Sequence, residues 1–347
     1  MTRAYLDWNA TTPLRAEAHA AMLAAMDVVG NPSSVHAEGR AAKAIVEKAR
    51  TQVAGAFGAV SADIVFTSSA TEAAALALAG RDLHVAGVEH ECVLAWCKAN
   101  LLCKANGLVD VVDPQTTALQ CANSETGVVQ TLPTGLAVCD FVQGFGKLPV
   151  GFDWTGVDMG LLSAHKIGGP KGVGALVIRQ GLDIKPQIKG GGQEMGRRAG
   201  TENVIGIAGF GAAAAAAARD LNDGLWGPVA ELRDLLEDRL TDEAPGVITI
   251  GKAANRLPGT LAIAMPGWKG ETQVMQMDLA GYAISAGAAC SSGKVKASKV
   301  LQAMGYDDLT ASSVIRVSLG PDTTYDQVMG FADAWLSQHK RFAARAA

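Results

Sequence analysis

The sequence predicts an α/β protein: a large domain on a mostly parallel sheet, then a second, smaller α/β domain. Three observations carry this. Short apolar runs alternate with helix-period segments through most of the chain, the pattern of a sheet covered on both faces. The length of 347 residues suits two domains better than one. After Pro245-Gly246 the pattern restarts as strand, helix, strand, helix.

In chain order, residues 64–66, 83–85, 108–112, 137–139, 159–162 and 175–178 read as buried strands. Residues 37–57, 71–79 and 92–104 read as helices between them. An Ala-rich helix follows at 203–221, and residues 224–228 separate it from one carrying Val229, Leu232, Leu236 and Leu240 on a single face. In the final third, 247–250, 260–264 and 315–319 read as strands and 271–280 as a helix. A last helix bears Val328, Phe331 and Trp335 on one stripe. The large domain is assigned residues 14–249, and the small one residues 1–13 plus 250–347.

Composition narrows the function classes. Apolar residues form 49% of the chain and charged residues 18%, enough apolar surface for a sizeable core and too little charge for a disordered chain. A net charge of −4 offers no global attraction to nucleic acid or a membrane surface. The first residues lack the apolar stretch of a signal peptide. The apolar run 204–218 is mostly Ala and Gly, reads as too short to span a bilayer, and is expected to pack inside the protein. A cytoplasmic location is therefore expected, with no membrane and no nucleic acid as partner. Cys92, Cys97, Cys103, Cys121, Cys139 and Cys290 have no metal-ligand spacing, so no metal site is expected. The first five read as small buried hydrophobes.

Several segments could carry chemistry. In Ser163-Ala-His-Lys-Ile-Gly-Gly-Pro-Lys-Gly172, a lysine at a strand end precedes a glycine-rich turn. Such a lysine can bind an aldehyde cofactor as a Schiff base, or it can be a surface lysine in a turn. Thr67-Ser-Ser-Ala-Thr-Glu72 enters a helix and is either a phosphate-binding turn or a capping box of Ser69 and Glu72. Asp140, after an apolar run, can face a pyridine nitrogen or cap a turn. His90 can stack on a flat ring and move protons, or be structural. Cys290, among small residues at 284–293, reads as an exposed thiol that can reach a substrate. Arg316, in an apolar strand, needs a partner: a substrate carboxylate or a structural carboxylate. The loop 190–201 can present N–H groups and Thr201 to a phosphate, or serve as a connector.

Taken together these segments resemble the cysteine desulfurases of the NifS/IscS type, within the class V aminotransferase-like enzymes that use pyridoxal 5'-phosphate (PLP). The resemblance runs from Tyr5-Leu-Asp-Trp-Asn-Ala-Thr-Thr-Pro13 to Ser313-Val-Ile-Arg-Val-Ser-Leu-Gly320. Its most specific parts are the His-Lys-Ile-Gly-Gly-Pro-Lys-Gly run and Ala-Cys-Ser-Ser around Cys290. It implies the aspartate aminotransferase-like fold (fold type I) and removal of sulfur from L-cysteine, leaving L-alanine and a persulfide on Cys290. Lys166 would bind PLP, His90 would stack on its ring, Asp140 would meet the ring nitrogen and Gln143 the ring oxygen. Ala70, Thr71, Ser163 and His165 would hold the phosphate, joined by Thr201 of a second subunit in a homodimer. Asn123 and Arg316 would take the substrate carboxylate. A sulfur-acceptor protein, an iron–sulfur scaffold or a sulfur carrier for thiolation, would remove the persulfide.

Three departures bear on turnover rate more than on cofactor binding. Ser124 stands where the family has a second Asn, Val142 stands where a hydroxyl residue flanks the glutamine, and the stretch from His90 to Asn123 is short. They leave open a catalytically weak or inactive scaffold on this fold. The fold is also compatible with transamination and with selenocysteine cleavage, and a mobile thiol has no use in transamination.

Overall fold

The architecture comes from a computed structural model, which describes residues 3–287 and 297–346. Cys290 lies outside the described residues.

The chain opens with β1 (Ala4–Tyr5), then α1 (Ala16–Met26) and α2 (Ala37–Ala56). α2 is a helix because Ala42, Val46, Ala49 and Val53 recur on one buried face, and His36 caps it by accepting from Gly39 N. Next come β2 (Ala62–Thr67), α3 (Ala70–Leu78), β3 (Val85–Ala86), α4 (Glu91–Leu94) and β4 (Ala99–Leu101). The large sheet is completed by β5 (Ala118–Gln120), β6 (Val138–Asp140), β7 (Met159–Ser163) and β8 (Gly174–Arg179), with α5 (Phe152–Thr155) between β6 and β7.

The strand order is β2-β8-β7-β6-β5. β5, β6 and β7 pair in parallel, while β8 is antiparallel to both β7 and β2, so β2 runs the same way as β7. A parallel bridge from His84 to Thr117 sets β3 beyond β5. The sheet is mixed, with β8 as its opposed strand. Its residues alternate between two cores, as a two-residue period requires. Ile64, Phe66, Ala175 and Val177 join α2 in one; Val65, Leu176 and Ile178 join α3 in the other.

α6 (Val204–Asn222) and α7 (Trp226–Glu243) follow. α6 is longer than its apolar run and, by length and composition alone, could cross a membrane. Instead it packs against α1 and α2, so closely that a Cβ at Gly211 would sit 2.6 Å from Ala49 Cα. The small-residue tract thus serves close helix packing inside the protein.

The remaining elements are β9 (Ile248–Thr249), β10 (Thr260–Ala264), α8 (Gly270–Leu279), β11 (Tyr282–Ala283) and β12 (Ser285–Ala286), then α9 (Lys299–Ala303), α10 (Asp308–Ala311), β13 (Val314–Ser318) and α11 (Tyr325–Ala346). An antiparallel sheet of order β12-β13-β10-β9 packs Leu261, Ile263, Ile315 and Val317 against Phe331 and Trp335 of α11. The N-terminus joins this part: β1 pairs with β11, Asp7 bridges to Ser318, and Leu6 is fully buried in the same core. Val229, Leu236 and Leu240 of α7 are buried there too.

Two expected elements differ. The helix expected at 92–104 stops after Leu94, because Ala99–Leu101 pairs with β3 as an added strand. The strand expected at 108–112 is a single antiparallel bridge, Val109 to Cys103, across a turn at Gly107. Its end residue Val112 is exposed. Of the five cysteines expected to be buried, Cys92, Cys97, Cys121 and Cys139 are, while Cys103 is half-exposed.

Candidate active site

The strands that run together deliver their C-terminal ends to one edge of the sheet, where ligands bind in open α/β sheets. Thr67 to Thr71 leave β2, Glu89 and His90 follow β3, Asn123 follows β5, Asp140 ends β6, and Ser163 to Lys166 end β7. These are the segments singled out from the sequence.

Lys166 lies in a single 3-10 turn after β7. Its Nζ donates to the main-chain oxygens of Asn9 at 2.6 Å and Ala10 at 2.8 Å. Burial first, then the Arg316 charge, lowers its pKa to about 8, so it gives up its proton more readily than an ordinary lysine. Asn9 was not anticipated from the sequence, although it lies within the Asp-Trp-Asn-Ala-Thr-Thr segment. Its main-chain oxygen also accepts from Gln143 Nε2 at 3.0 Å, and its side chain donates to Ser124 O and Thr260 Oγ1. Lys147 was also missed, hidden in an apolar stretch; it donates to Gln143 Oε1 at 2.8 Å.

Asp140 is buried, and Val142 N donates to its Oδ1 at 2.8 Å. Burial raises its pKa, while the Val142 N–H and the neighbouring His90 and Lys166 pull the other way. His90 is exposed and caps α4, its Nδ1 accepting from Cys92 N at 3.1 Å, which leaves Nε2 as the outward nitrogen. Beside it Glu89 is buried; Gln120 N donates to one carboxylate oxygen and Oε2 has no partner among the described residues. Burial first, and the nearby Asp140 charge, raise the Glu89 pKa well above its ordinary value, against the Gln120 N–H.

The start of α3 carries the expected capping box. Ser69 Oγ accepts from Glu72 N, and Glu72 Oε2 accepts from Ser68 N. The cap does not exclude a phosphate, because Ala70 and Thr71 begin the helix and Thr71 is exposed. β8 approaches so closely that a Cβ at Gly174 would lie 2.9 Å from Ala70 N, so glycine is required there. Ser163 is buried at the end of β7. His165 contacts Thr11 Oγ1 at 3.2 Å, and burial first lowers its pKa to about 4, so it is neutral.

Arg316 is buried in β13 and has a structural partner. Its NH2 donates to Asp7 Oδ1 at 2.7 Å and its NH1 to Ser124 O at 3.0 Å. Its Nε is buried with no partner among the described residues. Asn123 is committed within the chain: Nδ2 donates to Val88 O and Gln120 Oε1, and Oδ1 accepts from Glu125 N and Thr126 N. Thr201 is exposed on its loop. A groove of about 1020 Å³ between α2 and residues 192–195 touches none of these site residues.

The model of the class-V aminotransferase family matches residues 4–331. The chain belongs to that family. A cysteine desulfurase of Cereibacter sphaeroides is 38% identical over 94% of this chain and 93% of its own length. The cysteine desulfurase IscS of Dictyoglomus turgidum is 36% identical over 93% of this chain and 91% of its own. A NifS-like protein from Rickettsia africae has a TM-score of 0.88 and 31% identity, covering 97% of this chain and 99% of that one. The structure of SspA in complex with cysteine has a TM-score of 0.74 and 27% identity, over 92% of this chain and 100% of that one.

This family is PLP-dependent, and the donor set fits that cofactor. Lys166 offers a readily deprotonated amine to an aldehyde, Asp140 a carboxylate with one oxygen engaged, and the start of α3 free N–H groups to a phosphate. When bound, PLP supplies an electron sink for charge developing at a substrate α-carbon.

Proposed function

We propose that the protein is a PLP-dependent cysteine desulfurase, and that its Cys290 receives the sulfur. The observation that carries the reading is 36–38% identity with cysteine desulfurases over nearly the whole chain, on a chain whose Lys166 sits at the shared strand-end edge. In the balanced reaction, the carbon–sulfur bond of L-cysteine breaks and a sulfur–sulfur bond to Cys290 forms. L-Alanine leaves and Cys290 holds a persulfide.

The residue roles are part of the proposal. Lys166 binds the cofactor and then takes the α-proton, a task suited to its lowered pKa. His90 would stack its ring face on the cofactor ring and move protons through Nε2, Asp140 would meet the ring nitrogen, and Gln143 would donate to the ring oxygen. Ala70, Thr71, Ser163 and neutral His165 hold the phosphate. Arg316 takes the substrate carboxylate through the N–H groups not given to Asp7 and Ser124 O, Nε among them, and Asn123 assists only by releasing Val88 or Gln120. Thr201, exposed on its loop, reaches the phosphate in a second copy of the chain, making the enzyme a homodimer. A sulfur-acceptor protein, an iron–sulfur scaffold or a thiolation carrier, then discharges Cys290. The reducing cytoplasm is the proposed setting, which fits the free thiols of Cys92, Cys97, Cys103, Cys121 and Cys139.

The test is to supply L-cysteine and a reductant to the PLP-loaded protein and measure alanine and sulfide together. Equal release of both, lost in Cys290→Ala while visible absorbance stays, is the expected result. A PLP-loaded parent that releases no alanine overturns the reading.

A further inference from the structure

Lys147 is a second buried lysine that the site as read does not use. It is only 4% exposed, and no carboxylate among the described residues pairs with it. Burial, then the Lys166 and Arg316 charges, lowers its pKa to about 7. Asp7 and Asp140 raise the Lys166 pKa, whereas only burial and two positive charges act on Lys147. A buried ammonium without a counter-charge is costly and needs a reason.

The backbone supplies one. Residues 141–148 form successive turns, with Phe145 N bonded to Phe141 O and Leu148 N to Gly144 O, and Gly146 takes the left-handed φ of 71°. This reversal brings the Lys147 side chain back to that of Gln143. Lys147 Nζ donates 2.8 Å to Gln143 Oε1 and lies 3.4 Å from Asn9 Oδ1. A carboxamide can present either end, but Nζ carries N–H donors whether charged or neutral and here meets two oxygens, Gln143 Oε1 and Asn9 Oδ1, so it favours the oxygen end. The Gln143 N–H end is then turned to Asn9 O, the same oxygen that receives Lys166 Nζ.

We propose that Lys147 is a positioning residue for the cofactor, holding the Gln143 carboxamide so that its N–H end faces the PLP ring oxygen beside Lys166. This rests on the PLP site proposed above. Asn9 O favours the same orientation, but its partner Lys166 changes when the cofactor binds, and Lys147 then remains as the fixed restraint.

The experiment uses PLP-loaded parent, Lys147→Met, Gln143→Ala and the double variant. It reads the visible band position and the rate of PLP loss on dilution. Lys147→Met should shift the band in the same direction as Gln143→Ala and lose PLP about tenfold faster, the weight of one oriented hydrogen bond. The double variant should be no worse than Gln143→Ala alone, because Lys147 acts through that residue. Lys147→Gln keeps a donor and should recover most of the loss; it also stands in, read against Gln143→Ala, if Lys147→Met does not fold. Parent-like PLP loss in Lys147→Met, multiplied effects in the double variant, or equal loss in Met and Gln would overturn the proposal. A parent without any Lys166-dependent visible band would instead remove the PLP reading beneath it.

Discussion

The amino group of Lys166 donates 2.6 Å to the main-chain oxygen of Asn9, a residue 157 positions earlier in the chain. That contact joins the end of β7 to the N-terminal segment that runs with the second sheet. The same Asn9 reaches Thr260 of β10 and, through Ser124 O, shares an acceptor with Arg316. The proposed cofactor amine and the proposed carboxylate ligand are thus set by one tertiary junction.

Lys166→Ala should abolish the visible absorbance that the parent acquires with PLP. Alanine release should fall by roughly 10²–10⁴-fold, the range for removing a positioned base. Spectra and alanine assays check this together; a retained band would move the Schiff base to another lysine.

Arg316→Lys keeps a charge but loses the fork that holds Ser124 O and Asp7. If Arg316 also takes the substrate carboxylate, KM for L-cysteine should rise, with kcat/KM down by about ten- to a hundredfold. A change in folding stability with KM intact would make Arg316 a purely structural partner of Asp7. Steady-state kinetics alongside urea unfolding separate the two.

The two buried lysines should add stability as pH rises from about 7 to about 8.5 in the PLP-free protein, while the buried acids Glu89 and Glu125, whose pKa values burial raises, act with the opposite sign. The sign follows from the two buried lysines: Lys147 is lowered to about 7 and Lys166 to about 8, from an ordinary 10.5. In that window the unfolded chain holds protons that the folded chain has released, so higher pH favours folding. Each such proton contributes up to about 1.4 kcal/mol per pH unit. Above an ordinary thiol value of 9.0 the trend opposes itself, because burial pushes Cys92 and Cys121 up to about 12. Urea unfolding of parent and Lys147→Met across the window should show the parent gaining stability relative to the variant as pH rises; a pH-independent difference would show that Lys147 does not titrate there.

Glu194→Ala should destabilise the fold by about 3 kcal/mol, the cost of stripping one partner from a buried pair. Glu194 is buried and receives both Arg50 NH1 at 2.9 Å and NH2 at 3.0 Å. It also accepts from Phe66 N at 2.8 Å, while Arg50 donates to Ile64 O, so the pair covers the free edge of β2. Glu194 holds this position at φ 47°, a conformation that side chains other than glycine adopt rarely. Thermal unfolding of Glu194→Ala, with turbidity as a second readout for the uncovered edge, tests this; an unchanged Tm would show the cover to be dispensable.

By itself the sequence determined the α/β class, the course of α2, α3, β7 and β10, and the cluster of chemical residues. Those features are local: a period of two or of 3.6, a capping residue, a motif read within ten positions. Local signals failed where pairing partners lie far apart. Residues 92–104 carry a helical spacing of Val93 and Cys97, yet β3 recruits Ala99–Leu101 as a strand. Asn9 looked like any polar residue near the N-terminus, and Lys147 like a surface lysine beside a glycine. Only the tertiary structure decided that Asn9 bonds Lys166 and Gln143, that Arg316 already holds Asp7, and that Lys147 is enclosed. The physical reason is common to all three: a hydrogen bond across 134 to 309 positions leaves no periodicity in the chain, and burial of a charge depends on what packs over it.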